Sequence, residues 1–151
     1  MAINKDLRQC LVESTNSRSN LFKKYTDIGK LLKPNGLIMK PIFCVFVLKH
    51  TMPKQPPSFN WNDRDDLKGL WMSERKQIRT TNFVKSLYNF DVMRVTQDDI
   101  ALVQKIMQDP WMENEMRTRH LGIAAESMLC LQMWKWCKKI IEFVEVSKKL
   151  S

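Results

Sequence analysis

The chain has 151 residues, 44% of them hydrophobic, and a formal net charge of +9. That length fits one domain, and that apolar share excludes a disordered chain. With only four glycines, helices are favoured over a turn-rich β fold.

The charge is uneven: residues 1–56 carry +7, residues 57–116 carry −2 and residues 117–151 carry +4. Two basic ends around a weakly acidic middle suit a partner with an acidic surface. Nucleic acid, anionic lipid and acidic protein all meet that description.

Residues 1–20 are polar and without a clear period, and Ser14–Asn20 reads as a loop. Leu21–Leu32 predicts a short helix, which Lys33-Pro34-Asn35-Gly36 breaks. Leu37–Leu48 is strongly apolar. At about 12 residues it falls short of the ~20 that span a bilayer, so it reads as a core helix. Pro41 suits a first helical turn, so this helix is expected to start near Pro41 or to kink there.

Thr51–Asp66 holds Pro53, Pro56 and Pro57 and reads as a loop. Asp65 or Asp66 is expected to cap a helix from Leu67 to about Thr80, with Leu67, Leu70, Trp71 and Ile78 inward. Asn82–Tyr88 predicts a short helix with Phe83, Leu87 and Phe90 as its apolar set. Thr96-Gln97-Asp98-Asp99 resembles a capping box opening a helix over about Gln97–Gln108, with Ile100, Val103 and Met107 inward, closed by Asp109-Pro110.

No proline interrupts the segment from about Glu113 to Leu150. Ile123, Cys130, Trp134, Cys137, Ile141 and Val144 follow a heptad-like spacing. Met128, Met133, Trp136, Ile140 and Phe143 form a second apolar face. A helix apolar on two sides needs partners on two sides. The predicted fold class is therefore all-α, a small helical bundle with a long C-terminal helix.

Motifs for catalysis, phosphate cradling and metal binding do not appear. There is no GxxxxGK[ST], HExxH or GxSxG, and Gly29, Gly36, Gly69 and Gly122 are scattered. Cys10, Cys44, Cys130 and Cys137 form no CxxC, and His50 and His120 complete no zinc pattern, so the cysteines read as buried thiols. The carboxylates at Asp63, Asp65, Asp66, Asp98 and Asp99 sit where helices begin and read as caps. The five tryptophans read as core anchors, although their rings could also stack on nucleobases. Nucleic-acid binding rests on charge alone, with no recognisable motif. The N-terminus shows no apolar run of the signal-peptide kind. The expected properties are thus those of a non-catalytic module without cofactor, metal or membrane span.

Several motifs recur in a familiar order. Lys33-Pro34-Asn35 precedes the apolar Leu37–Leu48. Trp71-Met72-Ser73-Glu74-Arg75-Lys76-Gln77-Ile78-Arg79 follows, then Asn82-Phe83, Leu87 and Asn89-Phe90-Asp91. Asp99-Ile100, Gln108-Asp109-Pro110-Trp111, Ala124-Ala125, Leu129-Cys130 and Phe143-Val144-Glu145 continue the series. From about Lys33 to Lys149 the chain resembles the stalk-tip, microtubule-binding domain of dynein heavy chains, closest to axonemal members. Asn35 stands where the family has a second entry proline, and Val146 or Ser147 where it has an exit proline.

Residues 1–32 read as a polar N-terminal segment with a short helix, and the resemblance implies a helical stalk-tip domain at 33–122 and a coiled-coil strand at 123–151. That strand would be half of an antiparallel stalk. The implied partner is tubulin in the microtubule, with the rest of a heavy chain or another helix beside it. The implied location is the cytoplasm and cytoskeleton, with the cilium axoneme as the setting of axonemal members. The basic residues matching the family's binding helices are Lys33, Lys40, Arg79, Lys85, Arg117 and Arg119. An alternative that needs no family is a helical interaction protein docking through its long last helix.

Overall fold

The computed structural model describes residues 27–32, 36–108 and 125–150. These are mostly helical, and no strand occurs among them. After a helical turn at 27–29 come α1 (Gly36–Leu48), α2 (Arg64–Glu74), a 3-10 helix (Arg75–Arg79), α3 (Thr81–Tyr88), a short 3-10 turn (Val92–Arg94), α4 (Gln97–Met107) and α5 (Ala125–Leu150).

Helix α1 is the axis of the core. Ile42, Phe43, Cys44, Val45 and Phe46 are fully buried, with Val47 and Leu48 nearly so. A helix apolar all round must be enclosed on all sides. Here α5 and α4 supply most of the enclosure and α2 a smaller part. Of the two expectations for Pro41, a helix start or a kink, the start does not hold: α1 begins at Gly36 and carries Pro41 inside it. Burying each large apolar side chain contributes roughly 1.5–3 kcal/mol, against about 3 kcal/mol for an interior proline. The many buried side chains on this helix outweigh the one missing hydrogen bond.

The end of α1 is closed by two backbone hydrogen bonds. His50 N–H donates to Val47 O at 3.0 Å and Thr51 N–H to Phe46 O at 2.9 Å. That is a Schellman pattern, and it places His50 in the left-handed position, φ 61°, where glycine is commonest.

Helix α2 starts earlier than expected. Its cap is Asp63, whose side chain accepts from Asp66 N–H at 3.0 Å, and not Asp65 or Asp66. Asp66 instead reaches back to accept from Asn60 N–H at 2.9 Å, which orders the end of the loop. The helix also ends earlier, at Glu74, and tightens into the 3-10 turn through Arg79. The inward set is as expected, with Leu67, Leu70, Trp71 and Ile78 all buried.

Phe83 and Leu87 anchor α3, and Phe90 is half-buried against Trp136, edge to face at 4.9 Å between ring centres. Helix α4 carries a complete capping box. Thr96 Oγ1 accepts from Asp99 N–H at 3.1 Å, and Asp99 Oδ2 accepts from Thr96 N–H at 2.9 Å. Its third inward residue is Ile106; Met107 lies on the stripe of Ile100 and Val103 but is the last residue of the helix, and it is half-buried at the edge of the groove toward α5.

In α5 both expected apolar faces are covered over the middle of the helix. Met133, Trp136 and Ile140 are buried on one, and Trp134, Cys137 and Ile141 on the other. Further along, Phe143 and Val144 are half-buried and Val146 is exposed. Expectations for 1–26, for Ile123 and for the division between 122 and 123 lie outside the described residues; Met128 and Cys130 lie on α5, and their side chains are not among those described.

Candidate functional site

Two of the six basic residues singled out from the sequence, Arg79 and Lys85, are exposed. Arg79 ends the 3-10 helix and Lys85 lies on α3, and these two short elements pack together. Arg75 and Lys76 share the same five-residue turn, so four cations fall within eleven positions of chain. Glu74 is the acidic residue bordering that turn, and its carboxylate is held by Gln77 Nε2–H at 2.9 Å and Ser73 Oγ–H at 3.1 Å. No ion pair engages Arg79 or Lys85 among the described residues.

Lys40 is placed differently from the expectation. It is 3% exposed, and its ammonium donates to Asn62 Oδ1 at 3.0 Å. As part of a helix enclosed on all sides, it ties α1 to the loop before α2 and is withdrawn from any surface contact. Lys33, Arg117 and Arg119 lie outside the described residues.

The cationic turn is fixed to the segment entering the bundle. Trp71 Nε1–H donates to Leu31 O at 2.8 Å, and Arg75 Nη1 lies 3.4 Å from both Lys30 O and Leu31 O. Gln77 donates to Thr51 O at 3.0 Å on the other side. Arg79 runs across Gly29, where a β-carbon would meet Arg79 Cγ inside contact distance and Ile78 Cγ1 at 3.0 Å. Gly29 thus gives the arginine stem its bed. Replacing Gly29 with alanine is expected to force Arg79 from this path and to destabilise the fold by about 1–3 kcal/mol through overpacking. Thermal melting and the exchange behaviour of the Arg79 side chain in NMR would check this. The close approach of Gly29 is a long-range contact with no local sequence signal.

Lys49 lies at the C-terminal end of α1 with its ammonium 4.6 Å from the centre of the Phe83 ring. The ring face favours the charged form, but burial disfavours it more strongly and lowers the amine from 10.5 to about 8. Between those values the unfolded chain holds this proton more tightly than the folded one. The lysine's contribution to stability is therefore complete above pH 10.5 and lost as pH falls through about 8. Cys44 and Cys137 act oppositely: burial raises both thiols, so their contribution is lost as pH rises beyond about 9. Wild type is expected to gain stability from pH 7.5 to 9 relative to Lys49→Met, as read from urea midpoints. Parallel midpoints in the two proteins would contradict the assignment.

Cys44 donates its thiol toward Val103 O at 4.0 Å, and Cys137 is buried as well. Their environment agrees with the expectation of buried thiols. No group of three or more His, Cys, Asp or Glu among the described residues is placed to hold a metal ion. No described helix is long and apolar enough to cross a membrane. A comparison with protein-family models, curated proteins and solved structures returns no match.

Proposed function

We propose that this chain is a microtubule-binding module of the dynein stalk-tip kind, contributing to microtubule-based, ciliary movement as part of a full motor. The observation that carries the reading is the pair Arg79 and Lys85, exposed and without ion-pair partners among the described residues, on adjoining short helices beside Arg75 and Lys76. Together they offer an acidic protein surface several cations at once. Singly, such contacts are worth only about 0–1 kcal/mol, so binding through them is weak, additive and sensitive to salt.

The element order also supports the reading. An apolar first helix, a loop, short helices and a last helix follow one another in the order expected of such a domain. In this reading α5 continues as one strand of an antiparallel coiled coil, and its half-covered end at Phe143, Val144 and Val146 meets the other strand. ATP hydrolysis belongs to other modules of the motor, and the site of action is the cytoskeleton or axoneme. Co-sedimentation with microtubules over a salt series tests the proposal, and pelleting that high salt leaves undiminished would count against it.

A groove of about 750 Å³ between α4 and α5 favours a second reading, a helical interaction protein. Met107, Trp134 and Ile141 form its apolar part, and Lys138 lies 5.3 Å from the Trp134 ring centre. Lys105 and Lys138 are balanced there by Glu142 and Glu145, so an apolar helix face is the partner it suits; Ile141→Ala weakens capture of such a helix and the Arg79 and Lys85 substitutions do not.

A further inference from the structure

A separate cavity of about 500 Å³ lies between the C-terminal end of α1, the 52–57 loop and α4. Its volume falls in the range of small-molecule sites, and so does its chemistry, an apolar wall with a few converging polar groups. Val47, Leu102 and Met52 supply aliphatic surface. Phe59 and Trp61 supply two rings locked edge to face at 4.6 Å. Three prolines, Pro53, Pro56 and Pro57, restrict the loop that forms one wall. Phe59 N–H closes a turn on Pro56 O at 2.9 Å and Gln55 Nε2–H another on Pro53 O at 2.9 Å. A wall held in this way loses little entropy on binding.

The polar side is equally particular. His50 occupies the left-handed backbone position where glycine would fit at lower cost. Its Nε2–H donates to Asp99 Oδ2 at 2.6 Å. The Schellman end of α1 sets this backbone and turns the imidazole toward α4, at the edge of the cavity. Asp99 Oδ2 also accepts from Thr96 N–H, so its charge is already engaged within the fold. The remaining charges on the lining are the exposed ammonium groups of Lys54 and Lys105. The cavity therefore combines aromatic surface with an excess of positive charge.

We propose that this cavity binds a small planar aromatic anion, with its ring against Phe59 and Trp61 and its charge at Lys54 and Lys105. His50 and Asp99 hold the α1 end of the cavity against α4. The site is independent of the microtubule reading, which concerns the 3-10 turn and α3.

The test is titration of the full chain with 2-naphthoate, followed by calorimetry and by amide NMR shifts. Saturable one-to-one binding with Kd on the order of 0.1 mM is expected for a ligand of this size, with shifts centred on 47–61 and 99–105. The double variant Lys54→Glu/Lys105→Glu alters exposed residues and is expected to keep its melting temperature. It should weaken binding at least tenfold. The neutral analogue 2-naphthalenemethanol should bind at least tenfold more weakly than the carboxylate, and Leu102→Trp, which fills the cavity, should remove binding. Absence of saturable binding, shifts centred elsewhere, or equal affinity in the charge-reversed variant would overturn the proposal.

Discussion

Phe43→Ala is expected to be among the most damaging single substitutions, costing about 3–5 kcal/mol. The ring is fully buried at the centre of α1. It meets Trp61 at 6.2 Å, Trp71 at 6.3 Å and Phe46 at 6.5 Å between ring centres, at tilted or edge-on angles that suit aromatic pairs. Trp61 belongs to the loop and Trp71 to α2, so one side chain joins three parts of the fold. Truncation would leave a cavity among rigid rings that cannot collapse to fill it. A domain of this size is stable by roughly 5–15 kcal/mol, so the loss would be a large fraction of the total. Circular dichroism melting should show a fall of about 10 °C or more. Phe59→Ala, at a half-buried ring of the same cluster, should cost clearly less. Equal effects of the two substitutions would show that Phe43 is not the hub.

The aromatic hub also shows where sequence reading succeeds and where it stops. Leu37–Leu48 is legible as core because no face of it is polar enough for water. The spacing of Leu67, Leu70, Trp71 and Ile78 likewise declares an inward face, and Thr96 with Asp99 declares a helix start. What escapes is decided by contacts distant in sequence or by local competition. Three aspartates within four positions can each cap α2, and the choice of Asp63 depends on Asp66 turning back to Asn60.

Lys40 is the sharpest case. A lysine is ordinarily a surface residue, and a charge-based reading counts it as a ligand-facing cation. Yet the enclosure of α1 on every side leaves it no surface to reach, and a polar partner, Asn62 Oδ1, comes to it instead. His50 is a similar case. As one of only two histidines it invites a test for zinc spacing and fails it. Its position at the end of α1 and its pairing with Asp99, 49 residues away, become visible only in the fold. By contrast, Arg79 and Lys85, which the resemblance picks out on the same ground as Lys40, are exposed because each lies on the outer side of a short helix that buries only its other face, through Ile78 and through Phe83 and Leu87.

That difference between exposed and enclosed cations underlies the second large effect. Arg79→Glu combined with Lys85→Glu is expected to weaken microtubule co-sedimentation by at least about tenfold at low salt, equivalent to about 1.4 kcal/mol. Each reversal removes an attraction and adds a repulsion, and against an acidic surface the two changes act in the same direction. Because both side chains are exposed, the melting temperature should stay close to wild type, which separates lost binding from lost fold. The wild-type affinity should fall as salt rises, whereas the already weakened double variant should depend on salt much less.

Lys40→Met supplies the internal control. It removes a cation of the same sign from the same chain, but one that the fold encloses. If net charge alone drove association, Lys40→Met would weaken binding about as much as the single reversals, scaled for half the charge change. If the exposed pair makes the contact, its affinity should match wild type even if its stability shifts. Retention of full binding by the Arg79 and Lys85 double variant would move the contact to another face of the bundle. The groove between α4 and α5 would then be the next surface to test, through Ile141→Ala.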